Sequence, residues 1–297
     1  MLKIDYELLK SEVQLKINEA DYKKRLSLFH DSKHYRVKQL PYLFLAQLIK
    51  LNSHLANEVG VEAIIYNYYY NNEEDKAYIF CEEKSEIKNT IKVPYYRNSI
   101  EGYKEIKALA TGNNGEEVAL QAYLKQTLFA LFIGDIDRND SNIKGYYDDN
   151  DVFCLYPMYD FDQCFSLSSW EYKALKNEWY INGDIEDFWP VLSLVVNQVQ
   201  NHDYLFSLVD GYEYDSQLGK EVPQRHINYQ TLFAFCYEHL ADKEFITGLL
   251  EYNLEDLFNI DDNHGFNANT KLLYLSLMEV QREKMRKALN QGKIKGI

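Results

Sequence analysis

The sequence has 297 residues, of which 46% are hydrophobic and 15% aromatic, so the chain can bury a substantial core as one large domain or two modest ones. Its 46 acidic and 32 basic residues give a formal charge of -14, which repels nucleic acid and anionic membranes. The longest apolar runs fall well short of the roughly 20 residues that span a bilayer. We therefore expect a folded protein that contacts neither nucleic acid nor membrane directly.

The first third of the chain mixes helical and strand patterns. Residues 1–28 are rich in charges and favour a helix, whereas HYRVKQL at 34–40 favours a short strand. Over residues 40–60 apolar side chains recur every three to four positions, which predicts a helix with Gly60 as its C-terminal cap. The runs VEAIIYNYYY and KAYIFCEE, separated by the polar turn NNEED, predict a β-hairpin.

The composition changes near residue 85, and we place a lobe boundary there, giving lobes over 1–85 and 86–297. In the second lobe, EEVALQAYLKQTLFALFI predicts a helix, and IKGYY and VFCLYP around DDND predict a second hairpin. The remainder favours helices over 171–180, 185–199, 229–240, 243–254 and 270–289. The pattern predicts an α+β fold with a small mixed α/β lobe and a mainly helical lobe.

The segment GDIDRNDSNI at 134–143 places three aspartates and two asparagines directly after the apolar run LFALFI. Such a cluster suits either an exposed polar turn or a site that handles protons, cations or phosphate. An EF-hand is excluded, because Asp140 stands where its loop needs Gly and Tyr146 stands where it needs a bidentate Glu.

The order of polar residues around this segment favours phosphoryl transfer. Asp137 is followed five residues later by Asn142, then by the predicted hairpin and by Asp160. In that order an aspartate can accept the proton of an attacking hydroxyl, while the amide and the second carboxylate bind Mg²⁺. We expect the three side chains to converge on one cation-and-triphosphate pocket between the lobes.

The segments LFIGDIDRNDSNI and VFCLYPMYDFDQ resemble the catalytic loop and metal-binding segment of HipA-type kinases, N-x-D-x-H-x-x-N-F and P-x-Y-D. The matching residues are Asp137, Asn142, Pro157, Tyr159 and Asp160. The resemblance implies a two-lobed, protein-kinase-like fold, with a nucleotide-binding N-lobe and a catalytic C-lobe. It also implies ATP and Mg²⁺ as cofactors, Asp137 as the catalytic base, and Asn142 and Asp160 as the metal ligands.

Two residues depart from the expected motifs. Asn139 stands where the family has a loop-bracing His, and Asp162 follows the DF pair where conventional kinases have Gly. Phosphoinositide kinases carry similar D-R-H-x-x-N and H-I-D-F-G segments, although their specificity loops are basic. A lipid kinase and an inactive pseudokinase that binds protein therefore remain alternatives.

The small lobe offers fewer signals. No glycine precedes Gly60, so a Gly-rich phosphate loop is excluded. By resemblance, FHDSKH at 29–34 forms a Ser-containing loop that brings Ser32 near the nucleotide, and Lys38 binds phosphate. A solvated lysine on the strand explains Lys38 equally well. The following helix has Gln47 where conventional kinases have the Glu that pairs with this lysine, so we expect Lys38 to be held more weakly.

The strand that contains YIFCEE would lead into the interlobe hinge, where backbone groups around Cys81 and Glu82 would meet adenine. A plain edge strand explains these residues equally well.

The cysteines and the first residues predict the cellular location. None of the four cysteines shows C-x-x-C spacing, and their apolar neighbours are typical of reduced thiols. The segment MLKIDYELLK mixes charges from its third residue and does not resemble a signal peptide. We expect a cytoplasmic Ser/Thr protein kinase with a protein substrate. The family resemblance adds a growth-inhibiting toxin role and an antitoxin-like protein partner.

Overall fold

The structure is a computed structural model that describes residues 26–30, 33–40, 43–71, 76–84, 87, 89–92, 100–112, 115–135, 142–162, 164–166, 185–201, 208–209, 212–215, 220–223, 226–227, 229–260 and 266–294. Its helices are α1 (Leu43–Glu58), α2 (Ile100–Ala110), α3 (Glu116–Phe132), α4 (Ile185–Asn201), α5 (Tyr229–His239), α6 (Glu244–Glu251) and α7 (Ala268–Ile294). Its strands are β1 (Leu26–His30), β2 (Lys33–Leu40), β3 (Asn67–Asn71), β4 (Lys76–Glu82), β5 (Ile91–Lys92), β6 (Lys144–Tyr147), β7 (Phe153–Leu155), β8 (Leu208–Val209), β9 (Tyr212–Asp215), β10 (Lys220–Pro223) and β11 (His226–Ile227).

The N-terminal part forms a four-stranded antiparallel sheet in the order β1-β2-β4-β3. The predicted strand over 34–40 is confirmed as β2, and the predicted hairpin is confirmed as β3 and β4. The helix predicted over 1–28 is wrong for residues 26–28, which belong to β1. These residues pair with 35–37 of β2, and the ladder gives their backbone groups partners that a local charge pattern does not reveal. Residues 1–25 lie outside the described chain.

Helix α1 is buried around most of its circumference, and it ends as predicted at Gly60. The glycine has φ +82°, and the next N–H, of Val61, donates to the carbonyl of Ala56 at 2.7 Å. Two buried polar side chains of α1 bond to α7. Thr270 donates to Gln47 at 3.1 Å, and the Tyr274 hydroxyl donates to Asn52 at 3.1 Å.

The main hydrophobic core joins the sheet and α1 to the C-terminal helices. Its buried members include Leu48, Phe129, Phe233, Leu249 and Tyr274, from α1, α3, α5, α6 and α7. The small lobe therefore packs through α1 on the helices of the large lobe. The division at residue 85 stays a prediction.

The C-terminal part confirms the helices predicted over 185–199, 229–240, 243–254 and 270–289, as well as the β6–β7 hairpin. Three features were not predicted: helix α2, strand β5 beside β6, and the short paired strands β8 to β11. The helix predicted over 171–180 lies outside the described residues. The four cysteines are free, and no helix in the described ranges is long and apolar enough to cross a membrane.

Candidate active site

Lys38 is placed by the alternation of β2. Val37 packs with Phe80 on one face of the sheet, and Leu40 enters the main core on the other. Lys38 shares the face of Leu40, because side chains two positions apart on a strand point the same way. The sheet therefore directs Lys38 toward the helical lobe.

The Lys38 ammonium lies between two carboxylates. Its nitrogen is 3.1 Å from Oδ1 of Asp160 and 2.8 Å from Oδ2 of Asp162. The lysine side chain is 41% exposed and each aspartate 20%. Burial acts to lower the pKa of Lys38, but attraction to Asp160 and then to Asp162 outweighs burial and raises the pKa. Lys38 is therefore a charged ammonium at neutral pH.

The segment that carries Asp160 is joined to the small lobe by backbone hydrogen bonds. After β7, the N–H of Met158 donates to the carbonyl of Glu62, and the N–H of Ile64 donates to the carbonyl of Met158, both at 2.8 Å. This short parallel bridge lies between α1 and β3 on one side and just before Asp160 on the other. The bridge fixes the position of the segment that carries Asp160 relative to the small lobe, and so relative to Lys38.

Asp160 has a left-handed backbone, with φ 61°, which few residues other than Gly adopt and Asp tolerates better than most. Its N–H donates to the hydroxyl of Tyr66 at 3.4 Å. The next residue, Phe161, is buried and makes an edge contact with the Tyr66 ring, with centroids 6.3 Å apart. Tyr66 thus stabilises the turn in two ways, because its hydroxyl accepts the N–H of Asp160 and its ring packs against Phe161.

Tyr66 and Cys81 lie in a small apolar cluster beneath Asp160, together with Ile64, Tyr156 and Tyr159. Burial raises the pKa of Tyr66 well above its ordinary value and raises the pKa of Cys81 to about 11. Both groups are neutral at physiological pH. They pack beside the site and supply no charge to it.

Asn142 is 3% exposed and lies two residues before β6. In the hairpin, Gly145 pairs with Leu155, and the N–H of Tyr156 donates to the carbonyl of Lys144. The chain before β6 and the chain after β7 therefore leave the hairpin at the same end. Asn142 lies in the first of these two segments and Asp160 in the second, and a common metal ion for both stays a prediction.

The loop that leads to the motif leaves α3 through a tight turn. Gly134 has φ +60°, and a Cβ there would lie 3.2 Å from Cα of Phe165 and 2.7 Å from Nε2 of Gln281. The N–H of Phe165 donates to the carbonyl of Ile133 at 2.8 Å. Asp135 is buried directly after this turn. The entry to the loop is therefore fixed by contacts, while Asp137 itself lies outside the described residues.

The other predicted site residues are distributed as follows. Ser32 lies outside the described residues, in the two-residue connection between β1 and β2, where His30 pairs with Lys33. Cys81 shares the sheet face of Lys38, whereas Glu82 points to the opposite face and pairs with Lys33 at 2.7 Å. A role for the Glu82 backbone at the hinge stays a prediction.

Gln47 is engaged away from Lys38. It donates to the hydroxyl of Tyr68 at 3.2 Å and accepts from Thr270. Asp162 supplies a carboxylate to Lys38, a contact that sequence reasoning missed because it treated Asp162 only as a departure from Gly. The doublet of acids in DFD was the available signal.

An open cavity of about 370 Å³ lies between the Gly60–Glu62 turn and α3, which contributes Gln126, and Leu155 of β7 also lines it. Lys38, Asn142 and Asp160 do not line it. We therefore do not assign the nucleotide to this cavity.

No protein-family model matches the sequence, and a search of curated proteins found no match. Solved structures do share the fold. The proinflammatory kinase CtkA of Helicobacter pylori is 11% identical with a TM-score of 0.56, and the match covers 92% of this chain and 95% of that one. HipA of Shewanella oneidensis MR-1, from a toxin–antitoxin complex with HipB and operator DNA, is 14% identical with a TM-score of 0.53, covering 97% of this chain and 71% of that one. The chain therefore has the two-lobed, HipA/CtkA-like kinase fold that its motifs predict.

Proposed function

We propose that this protein is an ATP-dependent kinase of HipA type that transfers the γ-phosphoryl group to a Ser or Thr hydroxyl of a protein. The observation that carries the proposal is the ion pair between Lys38 and Asp160, the residues to which the motifs assign phosphate and metal. The fold shared with two kinases supports it.

The donor set suits Mg²⁺ and a triphosphate. Asp160 and Asn142 offer a carboxylate and an amide oxygen, the hard ligands that Mg²⁺ prefers. The carboxylates of Asp160 and Asp162 already stabilise one cation, the ammonium of Lys38. Bound Mg²⁺ would offset phosphate charge, which is most of what phosphoryl transfer requires. Lys38 would bind phosphate oxygens through the same ammonium.

Asp137 is the proposed catalytic base, which accepts the proton of the attacking hydroxyl or orients that hydroxyl in line with the γ-phosphorus. The described part of the chain ahead of it ends in the turn at Gly134, which packs against Phe165. We propose further that the backbone around Ser32 cradles phosphate and that the backbone of Cys81 and Glu82 meets adenine.

The partners follow from the neighbour and the charge. The HipA neighbour was solved with HipB and operator DNA, and we propose an antitoxin-like protein partner for this chain. The net charge of -14 supports a protein partner and disfavours direct binding of this chain to nucleic acid. We also propose a cytoplasmic location and a role as a growth-inhibiting toxin.

Thermal unfolding with and without nucleotide tests the proposal. We expect ATP with Mg²⁺ to raise the Tm of the wild-type chain, ATP with EDTA to raise it less, and Lys38→Met to show a smaller shift with MgATP than the wild type. Lys125→Met is the matched control, because Lys125 forms a Lys–Asp pair of 2.8 Å with Asp242. No shift with any nucleotide would contradict the kinase and favour a protein-binding pseudokinase.

The acceptor is tested separately by incubating the wild-type chain and [γ-³²P]ATP with either a generic Ser/Thr protein acceptor or phosphatidylinositol vesicles. We expect label in protein, on Ser or Thr after hydrolysis. Label only in lipid would replace the proposal by a phosphoinositide-type kinase.

A further inference from the structure

Two carboxylates, of Asp160 and Asp162, contact the ammonium of Lys38. Asp162 is the nearer of its two carboxylates, at 2.8 Å against 3.1 Å for Asp160. Both aspartates are largely buried, so these pairs are screened less than pairs on an open surface.

A metal ion bound to Asp160 would weaken the pair between Asp160 and Lys38. In the proposed function its carboxylate binds Mg²⁺, and a divalent cation competes for the oxygen that now faces the ammonium. If Asp160 were the only carboxylate on Lys38, binding the metal would leave the phosphate as the sole anion on the ammonium, with no acidic side chain to hold the lysine in position. Gln47, at the helix position where an acid would help, is neutral and bonds to Tyr68 and Thr270.

The local fold places Asp162 for this task. Asp160 and Asp162 flank Phe161, whose side chain is 1% exposed and packs against Tyr66. One buried ring therefore anchors both carboxylates, and both reach the same nitrogen of Lys38. The two acids are spaced so that one can leave the lysine while the other stays.

We propose that Asp162 is a positioning residue that holds Lys38 in place when Asp160 binds the metal. It takes the role of the glutamate that conventional kinases have where this chain has Gln47. The inference rests on the proposed function and deepens it. It gives Asp162 a role that depends on Mg²⁺, because the metal competes with Lys38 for the carboxylate of Asp160.

The test is calorimetric titration of ATP into the full chain, with Mg²⁺ and, separately, with EDTA. The variants are Asp162→Asn, Asp162→Glu, Lys38→Met and the double variant Lys38→Met/Asp162→Asn. Asp242→Asn is the control, because it breaks a Lys–Asp pair of the same 2.8 Å length at Lys125. Thermal unfolding of each variant without nucleotide verifies the fold.

We expect Asp162→Asn to weaken binding of MgATP about tenfold, the range of one charge-assisted hydrogen bond, and to leave binding of ATP in EDTA unchanged or tighter. Asp162→Glu keeps the charge and retains most of the affinity. In the Lys38→Met background, the same Asp162→Asn change alters the affinity by less than about twofold, because the two residues act as one unit.

Two results would overturn the role of Asp162. One is wild-type affinity for MgATP in Asp162→Asn. The other is a loss of equal size with and without Mg²⁺ and in the Lys38→Met background, which is what a purely structural residue gives. If Asp162→Asn does not fold, the test uses Asp162→Glu. An affinity loss in Asp162→Glu that is equal for ATP in Mg²⁺ and ATP in EDTA then overturns the role as well. A wild-type chain that binds no ATP would instead contradict the proposed function.

Discussion

Lys38 and Asp160 are separated by 122 positions in the sequence and meet in an ion pair of 3.1 Å. Lys38 comes from the sheet of the small lobe, and Asp160 follows the β6–β7 hairpin of the large lobe. The backbone bridge between Ala63 and Met158 fixes the approach of the two segments. The pair therefore joins a residue of the small lobe to a residue of the large lobe at the proposed site.

Replacing Lys38 tests the phosphate contact. Lys38→Met keeps the length of the side chain and removes its charge, and we expect kcat/KM for ATP to fall about 10²–10³-fold, as when a preorganised electrostatic donor is lost. Initial rates at varied ATP measure it. Lys125→Met, from the pair with Asp242, should stay near the wild-type value, and equal losses in the two variants would refute a specific role for Lys38.

Tyr66→Phe tests the support of Asp160. The substitution removes the hydroxyl that accepts the N–H of Asp160 and keeps the ring against Phe161. We expect a loss of about 1 kcal/mol in the free energy of unfolding and a fall in kcat of about threefold to tenfold, measured by urea denaturation and initial rates. The control is Tyr147→Phe, whose hydroxyl donates to Leu109 on the surface. An unchanged kcat in Tyr66→Phe would show that the hydroxyl does not hold Asp160.

Gly134→Ala tests the entry to the proposed catalytic loop. The backbone at φ +60° and the contact with Phe165 both oppose a Cβ, and we expect a loss of about 2–4 kcal/mol in the free energy of unfolding. Gly112 has φ +86° and nothing within 4 Å of an added Cβ, so Gly112→Ala costs only about 1–2 kcal/mol for its conformation. Urea denaturation compares them, and equal losses would mean that the packing at Gly134 is unimportant.

His54 should make the free energy of unfolding depend on pH. Burial and then the charge of Lys50 lower the pKa of His54 from 6.5 to about 4, and its Nε2 has no hydrogen-bond partner among the described residues. Between these pH values the unfolded chain binds a proton that the folded chain does not. His54 therefore leaves stability unchanged above pH 6.5 and reduces it as the pH falls toward 4. Urea midpoints at pH 7.5 and 5.0 should differ less in His54→Leu than in the wild type; an equal difference would contradict the burial of a neutral ring.

Local patterns predicted much of the fold. The apolar spacing of α1, its stop at Gly60 and the hairpins β3–β4 and β6–β7 depend on residues near in sequence, and all are confirmed. The error at residues 26–28 and the omission of β8 to β11 have one cause. Their strands are defined by pairing partners, and charge or periodicity in a short segment does not show a partner.

The sequence predicted Lys38 and Asp160 as site residues, but it did not predict the contacts that hold them. Lys38 and Asp160 were named from spacing and resemblance, and the structure brings them together. Sequence reasoning expected a weakly held Lys38, because it looked for an acid at Gln47 on α1. Asp162 supplies that acid from 124 positions away, and Tyr66 supports Asp160 from 94 positions away. Contacts across such separations arise only when the chain has folded.

The most direct test of the central claim is transfer of ³²P from [γ-³²P]ATP to a protein acceptor by the wild-type chain and by Asp137→Ala. We expect Mg²⁺-dependent labelling by the wild type, none above background by Asp137→Ala, and equal Tm values for the two chains. Asp149→Ala, an exposed aspartate in the β6–β7 turn, should label like the wild type. Wild-type labelling by Asp137→Ala, or no labelling by the wild-type chain with any acceptor, would contradict the account.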